Sequence, residues 1–148
     1  MGKNSIVQDR AHVASEQKKK GDKIVIGDNA FIGCNARVDC ATLESYSYVG
    51  MGAYVGRGSV VEGYAMVAAG ANVLPGTVVP SGQVWAGNPA VYLRDLTQEE
   101  KHMLSEYLVE MQQLSQIFAE ETERTFREVL EDEERRFQSE MTDPFVKV

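Results

Sequence analysis

The chain has few cysteines and histidines and no long apolar run, the features from which many small proteins are classified. Its 148 residues contain two cysteines, too few for a disulfide scaffold, and only two histidines. No uncharged apolar run approaches the ~18 residues that a membrane-spanning helix needs. The first residues show neither an apolar signal core nor an Arg-rich amphipathic pattern, so no signal or transit peptide is predicted in them.

Charge and glycine are distributed unevenly along the chain. The net charge is −7, which argues against binding to nucleic acid or to an anionic membrane, because both present negative surfaces. Residues 1–94 carry a net charge of +2 and residues 95–148 one of −9, and no glycine follows Gly87. This change of composition predicts two parts, a domain over 1–88 and a helical segment over 89–148.

Aliphatic residues recur every six positions through the first part. A period of six matches neither the 3.6 of a helix nor the 2 of a strand, but it is typical of a parallel β-helix built from hexapeptides. One step, from Val38 to Leu43, is five. The repeated positions are Ile26, Ile32, Val38, Leu43, Val49, Val55, Val61, Val67, Val73 and Val79, with Val7 and Val13 at the same spacing upstream.

A small residue follows each aliphatic position by four, and we expect it to fill the tight corner of each hexad. These residues are Ala30, Ala36, Thr42, Ser47, Ala53, Ser59, Ala65, Ala71 and Thr77. Three hexads per coil predict about four coils, stacked ~4.8 Å apart. Residues 14–25 interrupt the repeat and are predicted to form a solvated loop, with contact of Lys18–Lys20 to an acidic partner or lipid headgroups as the alternative.

The last third of the chain has the pattern of helices. Thr97 and Glu100 have the spacing of a capping box, so a helix should begin there. Apolar residues follow at helical spacing, and the stripe is expected to pack on a face of the β-helix or in an oligomer interface. It includes Leu104, Leu108, Met111, Leu114 and Phe118. Further helix is predicted after residue 120, with Glu131–Glu134 on a solvated face.

The ordered set of motifs resembles the gamma class of carbonic anhydrases. The resemblance covers roughly residues 2–120, and the tail over 113–120 is most similar to the eukaryotic members, which are subunits of mitochondrial respiratory complex I. The motifs are Val7-Gln8-Asp9-Arg10, Ile26-Gly27-Asp28-Asn29-Ala30, Val49-Gly50-Met51-Gly52-Ala53, Val67-Ala68-Ala69-Gly70, Trp85-Ala86-Gly87-Asn88-Pro89-Ala90 and Arg94-Asp95-Leu96-Thr97-Gln98-Glu99-Glu100.

This resemblance implies a left-handed β-helix, a trimer, and a zinc ion held by three histidines between adjacent chains. The three ligand positions of the family correspond to Ala14, Cys34 and Asp39. Ala14 and Asp39 share one phase of the repeat and are expected to face the same way on nearby coils. The sequence therefore predicts a chain without a bound metal or other cofactor, whose site is a relic; the alternative is a mixed set of Cys34, Asp39 and a displaced His12.

Other residues are interpreted as structural. The resemblance implies that Gln8, Asp9 and Arg10 contribute to a subunit interface. Cys34 and Cys40 fall on successive hexads, so a disulfide between them would be strained, and both are predicted to be reduced. His102 is predicted to lie on the surface of the tail helix.

Four functions compete at this stage. The first is a non-catalytic structural subunit in a heterotrimer of gamma-carbonic-anhydrase-like chains, attached to complex I membrane-arm subunits on the matrix side of the mitochondrial inner membrane. The others are an active carbonic anhydrase, a hexapeptide acyltransferase, which generally uses a histidine as general base, and a β-helical subunit of another assembly. The resemblance also implies coils before residue 1, which a separate chain, a neighbouring subunit or a longer form of this chain would supply.

Overall fold

The computed structural model describes residues 1–14, 22–123 and 125–142. These residues form two compact units, Met1–Gln112 and Gln113–Val148. The predicted fold class is confirmed, because the chain is mainly β, a parallel β-solenoid followed by helices. Residues 15–21 of the predicted loop, with Lys18–Lys20, lie outside the described part. The domain limits 1–88 and 89–148 remain a prediction.

Within the described residues the chain has fourteen strands, mostly of two residues, and two helices. The strands are β1 (Ile6–Val7), β2 (His12–Ala14), β3 (Val25–Ile26), β4 (Phe31–Ile32), β5 (Arg37–Asp39), β6 (Thr42–Leu43), β7 (Tyr48–Val49), β8 (Tyr54–Val55), β9 (Val60–Val61), β10 (Met66–Val67), β11 (Asn72–Val73), β12 (Val78–Val79), β13 (Gln83–Ala86) and β14 (Val91–Asp95). The helices are α1 (Gln98–Glu123) and α2 (Phe126–Thr142).

Every third strand joins the same sheet, which makes the solenoid triangular. Sheet A has the order β1-β4-β7-β10-β13-β14, sheet B the order β11-β8-β5-β2, and sheet C the order β12-β9-β6-β3. Strands β1 to β13 pair in parallel, so that residues of equal phase stack directly, as Ile32 does on Val49. The six-residue period thus becomes a ladder that runs along the solenoid axis.

The core is the column of aliphatic positions inside the triangle. All ten aliphatic residues from Ile26 to Val79 are buried, and the three columns form one cluster. Because each side chain packs on its equivalents above and below, the core of the interior coils is closely filled.

The five-residue step displaces one predicted corner residue. Thr42 does not occupy the corner; it lies in β6 and is half-buried. Ala41 takes the corner instead and is 1% exposed. The corner residue always lies two positions before the next aliphatic residue. The hexad that is one residue short therefore lacks one residue of its turn, where Cys40 has a φ of 42°.

In every hexad from Ile26 to Val79 except the shortened one, the third residue after the aliphatic position lies in the left-handed region, which usually favours glycine or asparagine. Gly52, Gly58 and Gly70 occupy this position in their hexads. Tyr46 and Tyr64 occupy it with φ of 61° and 58°, and their rings stack at 4.9 Å across neighbouring coils. A positive φ is costly for tyrosine, and the contact between the two rings is a favourable interaction at the same two residues.

The last coil is covered in part by the chain itself. Strand β14 pairs antiparallel with β13, and the N–H groups of Asn72 and Ala90 donate to the carbonyls of Gly87 and Asn72. Ala90 is buried against the end of the core. Sheets A and B are therefore covered at this end, whereas β12 is the outermost strand of sheet C among the described residues.

Helix α1 covers the outer face of sheet A over its first half. Leu104 and Leu108 are buried there against Phe31, which stacks on Tyr48 at 4.7 Å. The predicted packing of the apolar stripe on a β-helix face is thus confirmed for these residues. Met111 packs on the same cluster.

Both helices begin with a capping box. The N–H of Glu100 donates to Thr97 Oγ1 at 3.1 Å and the N–H of Thr97 donates to Glu100 Oε2 at 2.8 Å, which confirms the predicted start. Thr125 and Glu128 repeat the arrangement at the start of α2. The sequence carries the same S/T-x-x-E spacing there, which the sequence reasoning missed.

The second unit contains the rest of α1 and helix α2. The predicted further helix is confirmed, and Glu131, Glu133 and Glu134 are exposed. Arg135 and Arg136 approach Asp132 on the same helix, at 3.5 Å and 3.8 Å. No helix among the described residues has the length and hydropathy to cross a bilayer.

The corner register can be tested by enlarging either of two adjacent residues. We expect Ala41→Leu to lower stability by about 1–3 kcal/mol, because a full corner has no space for three more carbons. Thr42→Val, on the half-buried strand face, is expected to change stability by less than about 0.5 kcal/mol. Urea denaturation followed by circular dichroism measures both; equal losses would contradict the assigned register.

The capping box predicts a specific dependence on pH. Hydrogen bonds from Arg94, then from the Thr97 backbone, lower the pKa of Glu100 from 4.5 to about 2. The ionised group therefore stabilises the fold fully above pH 4.5, and this contribution disappears as the pH falls towards 2. We expect Glu100→Gln to lower the melting temperature at pH 7 and to have little effect near pH 2, whereas the neighbouring control Glu99→Gln should show a smaller loss throughout.

Candidate functional site

Two of the three implied zinc-ligand positions, Ala14 and Asp39, lie along sheet B. Ala14 and Asp39 are direct partners in the pairing of β2 with β5, which confirms that they face the same way on adjacent coils. His12, Arg37 and Tyr54 form the neighbouring column on the same sheet. The outer face of sheet B is therefore polar, in contrast to its aliphatic inner face.

Five of these side chains and Val38 enclose a small cavity. Its volume is about 20 Å³, and its lining consists of His12, Ala14, Arg37, Val38, Asp39 and Tyr54. A space of this size holds about one water molecule. Within one chain it is far too small for an acyl donor or any other organic substrate.

Asp39 faces a cation supplied by the chain itself. Arg57 Nη2 lies 3.5 Å from Asp39 Oδ1, and Arg57 Nη1 lies 2.5 Å from Asp22 Oδ2. Partial desolvation acts against the charge of Arg57, but the negative charges of Asp22 and Asp39 outweigh it and raise the pKa of Arg57. The guanidinium is thus permanently charged beside the third ligand position.

Cys34 lies apart from this cavity and contacts Gln8. The backbone N–H of Cys34 donates to Gln8 Oε1 at 3.2 Å, and its thiol donates to the same oxygen at 3.3 Å. Neither Cys34 nor Cys40 is part of a disulfide, and their reduced state stays a prediction.

The residues present do not fit a zinc ion. A catalytic zinc needs three protein ligands and an open position for water, and Ala14 has no donor atom. Asp39 lies beside a fixed positive charge that repels a second cation. Among the described residues, no three His, Cys, Asp or Glu side chains converge as a metal site within the chain. The alternative set of His12, Cys34 and Asp39 is not brought together, because Cys34 does not line the cavity.

The sequence reasoning missed Arg57. It lies in the coil after Asp39 and Cys40, two residues past Val55 in β8, and β8 pairs with β5. The period of the repeat carries only part of this signal: Val38 pairs with Val55, so the residue of equal phase to Asp39 is Gly56, next to Arg57. Side-chain reach across the five-residue turn, however, is visible only in three dimensions.

A larger groove lies between sheet A and α1. It has a volume of about 510 Å³ and is mostly apolar; Tyr48, Met66, Arg94, Leu96, Glu100, Met103, Leu104 and Tyr107 line it. Arg94 donates twice to Glu100, at 2.7 Å each. Burial, and then the proximity of Tyr107, raise the pKa of Tyr48. The groove contains no histidine or cysteine, so it offers apolar contact and hydroxyl donors and lacks a strong nucleophile.

The residues predicted for interfaces have different environments. Leu104 and Leu108 are buried within the chain, whereas Leu114 and Phe118 are exposed, Phe118 by 62%. Gln8 is engaged with Cys34, Asp9 is exposed, and Arg10 lies at a left-handed turn with φ of 58°. Their interface role remains a prediction. His102 is exposed on α1, 3.3 Å from Glu106, which confirms its predicted surface position.

Comparison with known proteins supports the resemblance at the level of sequence and fold. No family model matches the chain. Gamma carbonic anhydrase 2, a mitochondrial protein of Arabidopsis thaliana, is 42% identical over 53 residues, which make up 36% of this chain and 19% of that protein. The crystal structure of a hexapeptide transferase family protein from Anaplasma phagocytophilum is 34% identical, with a TM-score of 0.72, over 78% of this chain and 66% of that one.

A third comparison concerns the fold alone. A hexapeptide-repeat acetyltransferase from Vibrio cholerae has a TM-score of 0.50 at 20% identity, over 66% of this chain and 74% of that one. The match thus spans about a fifth of the length of the plant relative. It spans 66% of the Anaplasma structure and 74% of the Vibrio structure. It shares their hexapeptide-repeat architecture.

The role of Arg57 at the site can be measured with a double-mutant cycle. Arg57→Ala removes the cation that contacts Asp22 and Asp39, and we expect it to lower stability. Asp39→Asn combined with Arg57→Ala should cost less than the sum of the two, with a coupling of at least about 0.5 kcal/mol. Arg127→Ala is the control, because that side chain is 89% exposed. A coupling of zero in urea denaturation would show that Arg57 does not balance Asp39.

Proposed function

We propose that this gamma-carbonic-anhydrase-like hexapeptide-repeat protein is a non-catalytic structural subunit. In this proposal it forms a heterotrimer with related chains, and the heterotrimer is attached to the membrane arm of respiratory complex I on the matrix side of the mitochondrial inner membrane. The observation that carries the proposal is the third implied ligand position, where Asp39 pairs with Arg57 of the same chain.

The pairing of Asp39 with an arginine favours a structural role. A guanidinium cannot lower the pKa of a bound water or provide an open coordination position, and both are needed to generate hydroxide at neutral pH. It can, however, balance the negative charge of Asp39 and so preserve the local packing. A site that balances the charge of Asp39 without a catalytic group is compatible with a scaffold role.

The exposed faces of the solenoid support association with neighbouring chains. Sheet A is covered by α1 of the same chain, but sheets B and C have no covering element among the described residues. On sheet C, Val25, Thr42, Val60 and Val78 stack into a straight column of β-branched side chains, and Val78 is 48% exposed. A flat column of this kind suits packing against the face of another solenoid.

A heterotrimer explains how the loss of ligands can be tolerated. In the trimer that the resemblance implies, each metal site lies between two chains. One copy of this chain would alter the two interfaces it borders and leave the third, between its partners, unaffected. Three copies of this chain would alter all three.

The location is supported by the plant relative and by the tail. The matching part of the chain is similar to a gamma carbonic anhydrase named as mitochondrial, and the tail resembles members that belong to complex I. Leu114 and Phe118 are exposed on α1, which leaves apolar surface for further subunits of such an assembly.

The proposal is tested on native membranes with an affinity tag on the chain. After mild solubilisation and native electrophoresis, we expect the chain to migrate with complex I subunits and with at least one different gamma-carbonic-anhydrase-like chain. Val78→Lys should reduce this co-migration at least about tenfold, because it places a charge in the sheet C column. Val91→Lys is the matched control on β14, where the valine is also exposed.

The same purified assembly provides the second measurement. We expect no zinc that depends on this chain, so that its metal content and CO2 hydration rate are unchanged by Cys34→Ser. A free homotrimer, or about one zinc per chain that Cys34→Ser removes, would overturn the proposal. Acyl transfer from an acyl-coenzyme A that depends on His12 would overturn it in favour of a transferase.

A further inference from the structure

Helix α1 leaves part of the outer face of sheet A uncovered. Leu104 and Leu108 are buried against Phe31. Tyr48 and Met66 continue the same outer column towards the last coil and are only half-buried. This strip of sheet A forms the floor of the groove of about 510 Å³ that lies beside the first turns of α1.

The helix supplies an apolar wall to the groove. Met103 is 65% exposed and Tyr107 is half-buried, and residues four apart share one face of a helix. At the start of the helix, Arg94 donates twice to Glu100, so that these two charges balance each other. The groove therefore offers apolar contact without an unbalanced charge in its lining.

Acidic side chains follow the outer side of this wall. Glu99, Glu106 and Glu110 lie four residues before, three after and seven after Met103, and this spacing places all four on one side of α1. The three carboxylates are exposed. Glu106 approaches His102 at 3.3 Å, whereas Glu99 and Glu110 form no ion pair within the described part of the chain. The apolar groove thus has a negative rim.

The shape of the groove suits a helix better than a small molecule. Its volume is within the range of ligand pockets, about 300–1,000 Å³, but such pockets enclose about 70–90% of the ligand surface, and this groove is open to solvent along α1. An open trough receives side chains that another helix presents at i, i+3 or i+4, and i+7. From Glu100 to Tyr107 the trough is ~10 Å long, which corresponds to about two helical turns.

The charge of the rim decides which helix fits. An anionic lipid surface would be repelled by the three glutamates. Helix α2 of a second copy is amphipathic, but it has six acidic residues against three arginines and would also be repelled. A helix with lysine or arginine beside its apolar stripe has the complementary charge.

We propose that the groove between sheet A and α1 binds an amphipathic helix of a different polypeptide. Its apolar side chains contact Tyr48 and Met66 on the floor, and its lysines or arginines face Glu99, Glu106 and Glu110. This inference goes beyond the proposed function and does not depend on it, since the groove lies on sheet A and the proposed trimer uses sheets B and C.

The proposal is tested by photo-crosslinking from α1 of the full chain in its native assembly. A photoreactive phenylalanine analogue replaces the exposed Met103, which leaves the buried side of the helix unchanged. The crosslinked peptide is sequenced by mass spectrometry. We expect a segment of a different polypeptide with apolar residues at helical spacing and a net positive charge. The control places the same analogue at Val109, which is 52% exposed on another face of α1, where this crosslink should be absent.

The affinity of the crosslinked segment, made as a synthetic peptide, measures the role of the rim in the full chain. Replacing Glu99, Glu106 and Glu110 together by glutamine should raise the Kd at low salt at least about tenfold and flatten its dependence on salt, because the attraction to a basic helix is lost. Met103→Gln should raise the Kd at least about threefold at every salt concentration, because it removes apolar contact.

A matched control removes three exposed charges from α2. Replacing Glu131, Glu133 and Glu134 by glutamine should leave the Kd within about twofold of the original value, because these groups lie outside the rim. Equal weakening by the two triple variants would overturn the proposal, as would a Kd that neither changes. Crosslinks from position 103 that go to lipid, to an acidic segment, to this chain or a second copy of it, or that do not exceed those from position 109, would also overturn it.

Discussion

The whole structure depends on the exact stacking of equivalent hexads. Each coil lies one strand spacing from the next, ~4.8 Å, so a residue of given phase has its counterparts as direct neighbours. This constraint fills the core with one aliphatic residue per hexad, from Ile26 to Val79. It also makes every change local to one column, since a substitution contacts mainly the residues one coil above and below it.

The same constraint explains the altered site. On the outer side of sheet B, Ala14 and Asp39 occupy one column, and Arg57 reaches Asp39 from the adjacent coil. A carboxylate in that column needs a positive neighbour, because a partly buried charge without one is costly. Arg57 supplies it from the chain itself. The result is a polar column that is balanced electrically and lacks the donors of a metal centre.

A short solenoid has few interior coils relative to its two end coils. Its interior coils are closed, but an end coil leaves strand edges and core side chains uncovered unless something caps it. In this chain β14 provides such a cap for sheet A, and α1 covers one of the three faces. Sheets B and C have no covering element among the described residues, and the proposed function uses them as surfaces for neighbouring chains.

The sequence by itself determined the fold class, the columns of the core and the start of α1, because the six-residue period and the Thr97–Glu100 spacing are local patterns. It placed Ala14 and Asp39 on one face for the same reason. Only the tertiary structure decided that Ala41 and not Thr42 fills the corner, that Arg57 faces Asp39, and that Leu104 is buried while Phe118 is exposed. These depend on how a shortened turn is absorbed, how far a long side chain reaches, and which surfaces meet, and none of the three is a periodic property of the sequence.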